Sequence, residues 1–126
     1  MALGYVTTLR NNQLDEITAL AGSGAKIKIY NGTRPATGGT ATTLLGTFTF
    51  SGVFASAAAA GVLTPNTPPD TTGAAAGTAS WYRITTSADA FVMDGSVGVE
   101  MTLSTTTISS GLPLSVTGHT ITAGNA

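Results

Sequence analysis

Few side chains in this sequence are of a type that performs chemistry. There is one histidine, His119, and no cysteine, so a thiolate nucleophile and a cysteine-ligated metal site are excluded. A catalytic triad or a zinc site would need His119 beside an orienting acid or further histidines. Instead it lies in VTGHTIT, between Val116 and Ile121, two residues that we expect in the core. This setting indicates a structural histidine in a strand or turn.

The six carboxylates show no spacing typical of a reactive pair. Glycoside hydrolysis needs two carboxyl groups about 5 to 9.5 Å apart, and the sequence places no two of them together. Asp15 and Glu16 are neighbours on a predicted helix and diverge, while Asp94 begins an Asp-Gly hairpin signature. The glycine-rich AGSGAK (21–26) follows a helix, whereas a phosphate-binding loop precedes one. We therefore predict no enzyme activity, no cofactor and no metal site.

Charged side chains are unusually scarce. Asp, Glu, Lys and Arg make up 9% of the 126 residues, against about 25% in a typical domain. The five cations are scattered, which disfavours a nucleic-acid partner because counterion release needs several clustered cations. No stretch approaches the ~20 apolar residues of a membrane span, and the N terminus lacks the basic and apolar regions of a secretory signal, so we predict no membrane partner. A surface with little like-charge repulsion suits a protein packed against others.

One helix is predicted in TTLRNNQLDEITALAGSG (7–24). Thr7 or Thr8 can cap its N terminus, and Gly22 stands where a left-handed residue would end it. The polar side chains are expected on the opposite face from the core. The apolar residues at helical spacing, which should face the core, are Leu14, Ile17, Leu20 and Ala21.

From residue 25 the hydrophobic period changes to two. KIKIY (26–30) alternates lysine outward and isoleucine inward, and eight or nine short β-branched segments follow it. This spacing predicts a mainly β protein of one domain, an N-terminal arm and helix (1–24) followed by a β-sandwich (25–126). Jelly-roll topology is our first choice, and an immunoglobulin-like or Greek-key arrangement our second. The alanine run Ala57–Ala60 fits either a helix or a buried strand, and 65–77, with three of the five prolines, is the clearest loop.

Unusual side chains gather in SWYRITTSADAFVMDGSVGV (80–99). Strand alternation places Trp81 with Arg83 on one face and Tyr82 with Ile84 on the other. At most half of this group could therefore meet a sugar or a base. We favour Trp81 as a core anchor over Trp81 as a stacking platform.

The same stretch suggests a surface. If Asp94-Gly95 is a two-residue turn, Phe91 and Met93 share one face of the hairpin, opposite Val92. That face is either covered by a second layer or left as an exposed apolar patch, and exposed patches commonly mark interfaces. Phe91 and Met93 are therefore interface candidates.

The segments TASWYRITTSADAFVMDGSVG (78–98) and STTTISSGLPLSVTGHTITAGN (104–125) resemble small virion structural proteins of tailed bacteriophages. Members of that group often show an aromatic-Arg-Ile strand, a Val-Met-Asp-Gly-Ser-Val-Gly hairpin and a terminal Ile-Thr-Ala-Gly-Asn. The N-terminal TTLRNNQLDEITALAGSGAKIKIYNGTRPA (7–36) fits the same pattern of a helix that leads into a first strand. The resemblance spans nearly the whole chain.

By size and predicted fold, the resemblance implies a capsid decoration, or cement, protein. Such a protein would lie on the outer surface of the virion head as a dimer or trimer and bridge subunits of the major capsid protein, without enzyme activity. The alternative is a tail or fibre component, including a carbohydrate-binding module that uses exposed aromatics such as Tyr5, Tyr30 or Trp81. Termini and long loops can reach a neighbour, which adds to the interface candidates Leu3, Tyr5, Pro68, Pro69 and Asn125.

Overall fold

The computed structural model describes residues 4–123, in which one helix precedes twelve short strands. The predicted mainly β fold with one N-terminal helix is confirmed. No helix in this part of the chain is long and apolar enough to cross a membrane. The elements are α1 (Thr7–Ala21), β1 (Lys26–Tyr30), β2 (Leu44–Thr49), β3 (Val62–Leu63), β4 (Thr71–Thr72), β5 (Gly77–Thr78), β6 (Trp81–Thr85), β7 (Phe91–Ser96), β8 (Met101–Leu103), β9 (Thr107–Ile108), β10 (Pro113–Leu114), β11 (Val116–His119) and β12 (Ile121–Thr122).

One antiparallel sheet forms the centre of the fold. Its four strands lie in the order β2-β1-β6-β7, and four two-stranded ribbons surround it, β10-β4, β11-β8, β12-β3 and β5-β9. Ile27 lies between Phe48 and Ile84, and all three are fully buried, so this face of the sheet forms the main core. The alternation predicted for 26–30 is confirmed. The jelly-roll arrangement stays a prediction, with which this sheet and its ribbons are compatible.

The helix lies where the sequence places it, and of the four residues predicted to face the core only Leu20 does not, since Ile17 packs against the core as well. Leu14 and Ala21 are buried, whereas Leu20 is 64% exposed. Leu20 is six residues after Leu14, and at about 100° per residue this is a rotation of ~600° about the helix axis. Two full turns account for 720°, so the Leu20 side chain points ~120° away from that of the buried Leu14. The Thr cap is also wrong: Val6 precedes the first turn, and no side chain caps it. Gly22 ends the helix at φ 70°, as predicted.

Polar side chains attach the helix to the β structure. Asp15 accepts a hydrogen bond from the amide of Ala58 (2.7 Å), and Asn11 accepts one from the amide of Gly61 (2.8 Å). Arg10 donates to the carbonyl of Ala123 at 3.2 Å. These bonds satisfy backbone groups that would otherwise lack partners at a buried junction. The helix therefore needs only a narrow apolar stripe.

The alanine run ends in a tight turn, and it forms neither the helix nor the buried strand that periodicity left open. Ala59 and Val62 exchange both of their backbone hydrogen bonds, at 3.0 and 2.9 Å. Ala60 (φ 52°) and Gly61 (φ 74°) both adopt the left-handed region, as a type I′ turn requires. Alanine is unfavourable in that region, whereas Asn adopts it readily.

Replacement of Ala60 by Asn should raise the free energy of unfolding by about 0.5 to 1 kcal/mol, because Asn relieves the left-handed strain at an exposed position. Urea unfolding measures the change. Ala59→Asn is the matched control, since Ala59 is also exposed but lies outside the two left-handed positions. An equal gain in both variants would contradict the turn assignment.

The predicted Asp94-Gly95 hairpin is wrong. Both residues lie in the middle of β7, where Asp94 is paired with Arg83 and Gly95 with Tyr82. Glycine is required at 95 for close packing, since a Cβ there would overlap the Tyr82 phenol. The chain reverses further on, where the amide of Gly98 (φ 89°) donates to the carbonyl of Met101 at 2.7 Å.

Phe91 and Met93 consequently do not share a face. Met93 is opposite the buried Ile84 and packs against the main core. The next residue of β6, Thr85, pairs with Phe91, so the register shifts by one residue of β7 at this point. The Phe91 ring therefore lies on the opposite face of the sheet from Met93, against Arg83. A bulge of this kind adds one residue to one strand, which reverses the alternation beyond it.

Candidate binding face

The second face of the four-stranded sheet carries a stack of aromatic and cationic side chains. Trp81 lies on Tyr30 with ring centroids 4.4 Å apart and an interplanar angle of 17°. The Arg83 guanidinium lies 5.2 Å from the centroids of both Trp81 and Phe91. We call this surface, defined by Tyr30, Trp81, Arg83 and Phe91, the Arg83 face. Strand alternation places Trp81 and Arg83 together, as predicted.

The loop between β1 and β2, residues 31–43, covers part of this face. The indole of Trp81 donates to the carbonyl of Asn31 and to the hydroxyl of Thr42, both at 3.0 Å. Trp81 is 1% exposed, which confirms it as a packing anchor. It packs under this loop, however, and not in the main core.

A two-pronged ion pair fixes the same loop to the sheet. Arg83 donates from Nε to Asp94 Oδ1 at 2.7 Å and from Nη2 to Oδ2 at 3.1 Å. Nη2 also donates to the carbonyl of Gly39 (2.8 Å), and the amide of Gly38 donates to Asp94 Oδ2 (3.1 Å). The hydrogen bond to Asp94 raises the pKa of Arg83. With the Asp94 side chain 4% exposed, both charges depend on this network.

Beside the ion pair, the loop and β7 enclose a cleft of about 300 Å³. That volume is at the lower end of the range for ligand pockets, about 300 to 1,000 Å³. One cation, the exposed Arg34, stands at its wall. We call it the Arg34 cleft; it is lined by Arg34, Pro35, Ala36, Thr37, Phe91, Val92, Met93 and Asp94.

The remaining cations of the sheet, Lys26 and Lys28, share one aspartate. Asp89, held at φ 67°, lies 3.1 Å from the ammonium of Lys26 and 2.8 Å from that of Lys28. Its hydrogen bonds, chiefly to Lys28, lower the pKa of Asp89. Two ammonium groups and one carboxylate leave a net charge of +1 here, so Asp89 weakens the cationic patch without removing it.

The sole histidine belongs to a buried pair on the core side. Its Nε2 lies 3.0 Å from the hydroxyl of Tyr82, and its ring meets those of Tyr82 and Phe54 edge-on. Burial lowers the pKa of His119 to about 4, and burial, followed by the charge of Glu100, raises the pKa of Tyr82. Neutral and 7% exposed, His119 orients Tyr82 and is not open to a substrate. The structural role predicted for it is confirmed.

The interface candidates from the sequence do not converge on one surface. Leu3 and Asn125 lie outside the described residues, and Tyr5 is half-buried. Pro68 is buried, whereas Pro69 is exposed. Phe91, which is 42% exposed, and Met93 lie on different faces of β7, and both line the Arg34 cleft. Met93 also packs against the main core.

Sequence reasoning missed the Arg34 cleft. Its walls come from a loop and a strand more than 50 positions apart, and no local signal joined them. Among residues 4–123, no cluster of three or more His, Cys, Asp or Glu side chains could hold a metal ion. Comparison with protein-family models, with curated proteins and with solved structures finds no match to this chain.

Replacement of Arg83 by Lys should lower the free energy of unfolding by about 2 kcal/mol. Lysine keeps the charge but loses the paired geometry on Asp94 and the planar contact with the two rings. Urea unfolding followed by the emission of Trp81 measures it. Arg34→Lys is the matched control and should change stability little, because Arg34 is exposed and makes no such bonds. Equal losses in the two variants would contradict the role given to the ion pair.

Acid should destabilise the fold through His119. Above pH 6.5 the imidazole is neutral in both states; between pH 6.5 and about 4 it is protonated in the unfolded chain first, so stability falls with pH. The expected loss down to pH 4.5 is about 2 to 3 kcal/mol. The His119→Gln variant should lack this component, which unfolding at pH 7.5 and 4.5 measures.

The direct check is an NMR titration, which is unambiguous because the chain has one histidine. The imidazole should stay neutral down to about pH 5 in the folded protein. A midpoint near 6.5 would show that the pair with Tyr82 is open to solvent.

Proposed function

We propose that this chain is a non-enzymatic virion structural protein, which decorates a phage capsid on its outer surface and stabilises it by bridging subunits of the major capsid protein. The protein would associate with itself as a dimer or trimer. It would act by adhesion: when each copy binds two or more capsid subunits, opening the shell requires those contacts to break as well.

The observation that carries the proposal is a surface poor in charge that displays large apolar side chains in several separate segments of the fold. Five such side chains are 58 to 77% exposed. They belong to different parts of the fold: the helix and the residue before it, the segment after β2, the turn after β7 and the segment before β10. A bridging protein needs contact surfaces on more than one side. The five are Val6, Leu20, Val53, Val99 and Leu112.

The chemistry of the described residues is compatible with adhesion. The sole histidine is buried on Tyr82, and the strongest ion pair, Arg83 with Asp94, holds a loop in place. Neither is arranged as a nucleophile with a base and an orienting group. The resemblance of segments 78–98 and 104–125 to phage virion proteins supports the same class of function.

The tail or fibre alternative, with carbohydrate binding, receives less support. Stacking of a sugar on Trp81 or Tyr30 would need an exposed ring face. Trp81 is 1% exposed and Tyr30 7% exposed, because the two rings stack on each other beneath residues 31–43. That loop would have to leave the sheet before either ring could meet a sugar.

Purified virions of the phage that encodes the chain test the proposal. The chain should be present at a copy number comparable with that of the major capsid protein. Particles that lack it should release their DNA at a lower temperature, and addition of the purified protein should restore the wild-type value, because the added copies renew the bridging contacts. The particles that lack the chain should be otherwise intact with normal tails, and wild-type particles are the control.

Three outcomes would overturn the proposal: absence from the particle, a location confined to the tail, or unchanged heat resistance without the chain. A tail location combined with retention of a sugar on a glycan array would establish the alternative.

A further inference from the structure

Most of the eleven charged side chains form ion pairs or hydrogen bonds with other groups of the same chain. Asp89 binds the two lysines, and Arg83 binds Asp94. The side chains of Arg10, Asp15 and Glu100 bond to backbone groups. Across residues 4–123, three exposed ionic side chains make no hydrogen bond or ion pair; they are Arg34, Asp70 and Glu16.

Two of these three stand in settings that complement each other. Arg34 adds a positive charge to a cleft that presents both polar and apolar surface, and the one acid there, Asp94, is already neutralised by Arg83. The cleft therefore suits a small group that combines apolar surface with a negative charge. Asp70 follows the exposed Pro69, which is such a combination.

The Pro69–Asp70 corner is held rigidly from both sides. Before it, the amide of Asn66 donates to the carbonyl of Phe54 at 2.8 Å, and Pro68 is buried. After it, Thr71 pairs with Leu114 in the ribbon of β4 and β10. A corner fixed in this way loses little conformational entropy on binding.

The cleft and the corner lie at opposite edges of the central sheet. The cleft is bounded by β7, at one edge, while β4 packs beside β2, at the other edge, where the amide of Ala74 donates to the carbonyl of Leu45 at 2.7 Å. Three strand spacings of about 4.8 Å separate the two edges by ~14 Å. The corner therefore cannot fill the cleft of its own copy.

We propose that the Arg34 cleft receives the Pro69–Asp70 corner of a second copy of this chain. Pro69 packs on the apolar walls, and the Asp70 carboxylate pairs with the Arg34 guanidinium. Because the two surfaces differ and lie at opposite edges, the contact is head-to-tail, and repetition of it gives a ring or a chain of copies. This contact rests on the self-association named in the proposed function and gives its geometry, and it can be measured on the isolated protein without capsids.

Charge exchange tests the contact in the full chain. Arg34→Glu alone and Asp70→Arg alone each place like charges together, so each should weaken self-association at least tenfold in sedimentation velocity. The double variant R34E/D70R should restore it, and so should an equimolar mixture of the two single variants, because both the native and the exchanged pairs form between them. Glu16→Arg, which alters the third unpaired group, is the matched control and should leave association unchanged.

Circular dichroism should show all variants folded, since the three positions are exposed. A wild-type chain that stays monomeric at all concentrations overturns the proposal, and so does an oligomer that is insensitive to the single exchanges or is not restored by the double exchange. Binding of the monomer to capsids that depends on Arg34 would assign the cleft to the capsid protein, and would overturn this proposal while leaving the capsid function intact.

Discussion

The pairing of Arg83 with Asp94 is the interaction on which the second layer of this protein depends. It joins neighbouring strands, receives the amide of Gly38 and reaches the carbonyl of Gly39, so that one pair of charges fixes an entire loop. The loop in turn covers Trp81 and Tyr30, and it supplies one wall of the Arg34 cleft. A bidentate guanidinium is suited to this task because its planar fork meets the carboxylate and still stacks between two rings.

Because the chain has few charged side chains, each of them has a large influence on how the surface interacts with other molecules. Because charged side chains are few and most of them are held by bonds within the fold, the surface repels other copies weakly and apolar contacts can form at many places. An unspecific surface of that kind would aggregate without some element of selection. A few unpaired charges in defined settings can supply the selection, because a like charge at the wrong position costs several kcal/mol in association.

The parts of the fold that depend on local periodicity could be predicted from the sequence. Ile27 and Ile29 alternate with lysines and are fully buried, and Trp81 and Arg83 share a face. Predictions failed where a distant contact outweighed a local preference. Asp-Gly favours a tight turn, but Asp94 is held in a strand by Arg83, and the missing side chain of Gly95 makes room for Tyr82.

The Arg34 cleft shows why a site can be missed in a sequence from which much of the fold is predicted correctly. Arg34 is closer in the chain to Asp70 than to β7. The strand order β2-β1-β6-β7 nevertheless separates Arg34 from Asp70, at opposite edges of the sheet, and brings Arg34 next to β7. That order includes the pairing of β1 with β6, two strands that are 50 residues apart, in which Ile27 lies opposite Ile84. A cleft built on such a pairing follows from the three-dimensional order of the strands alone.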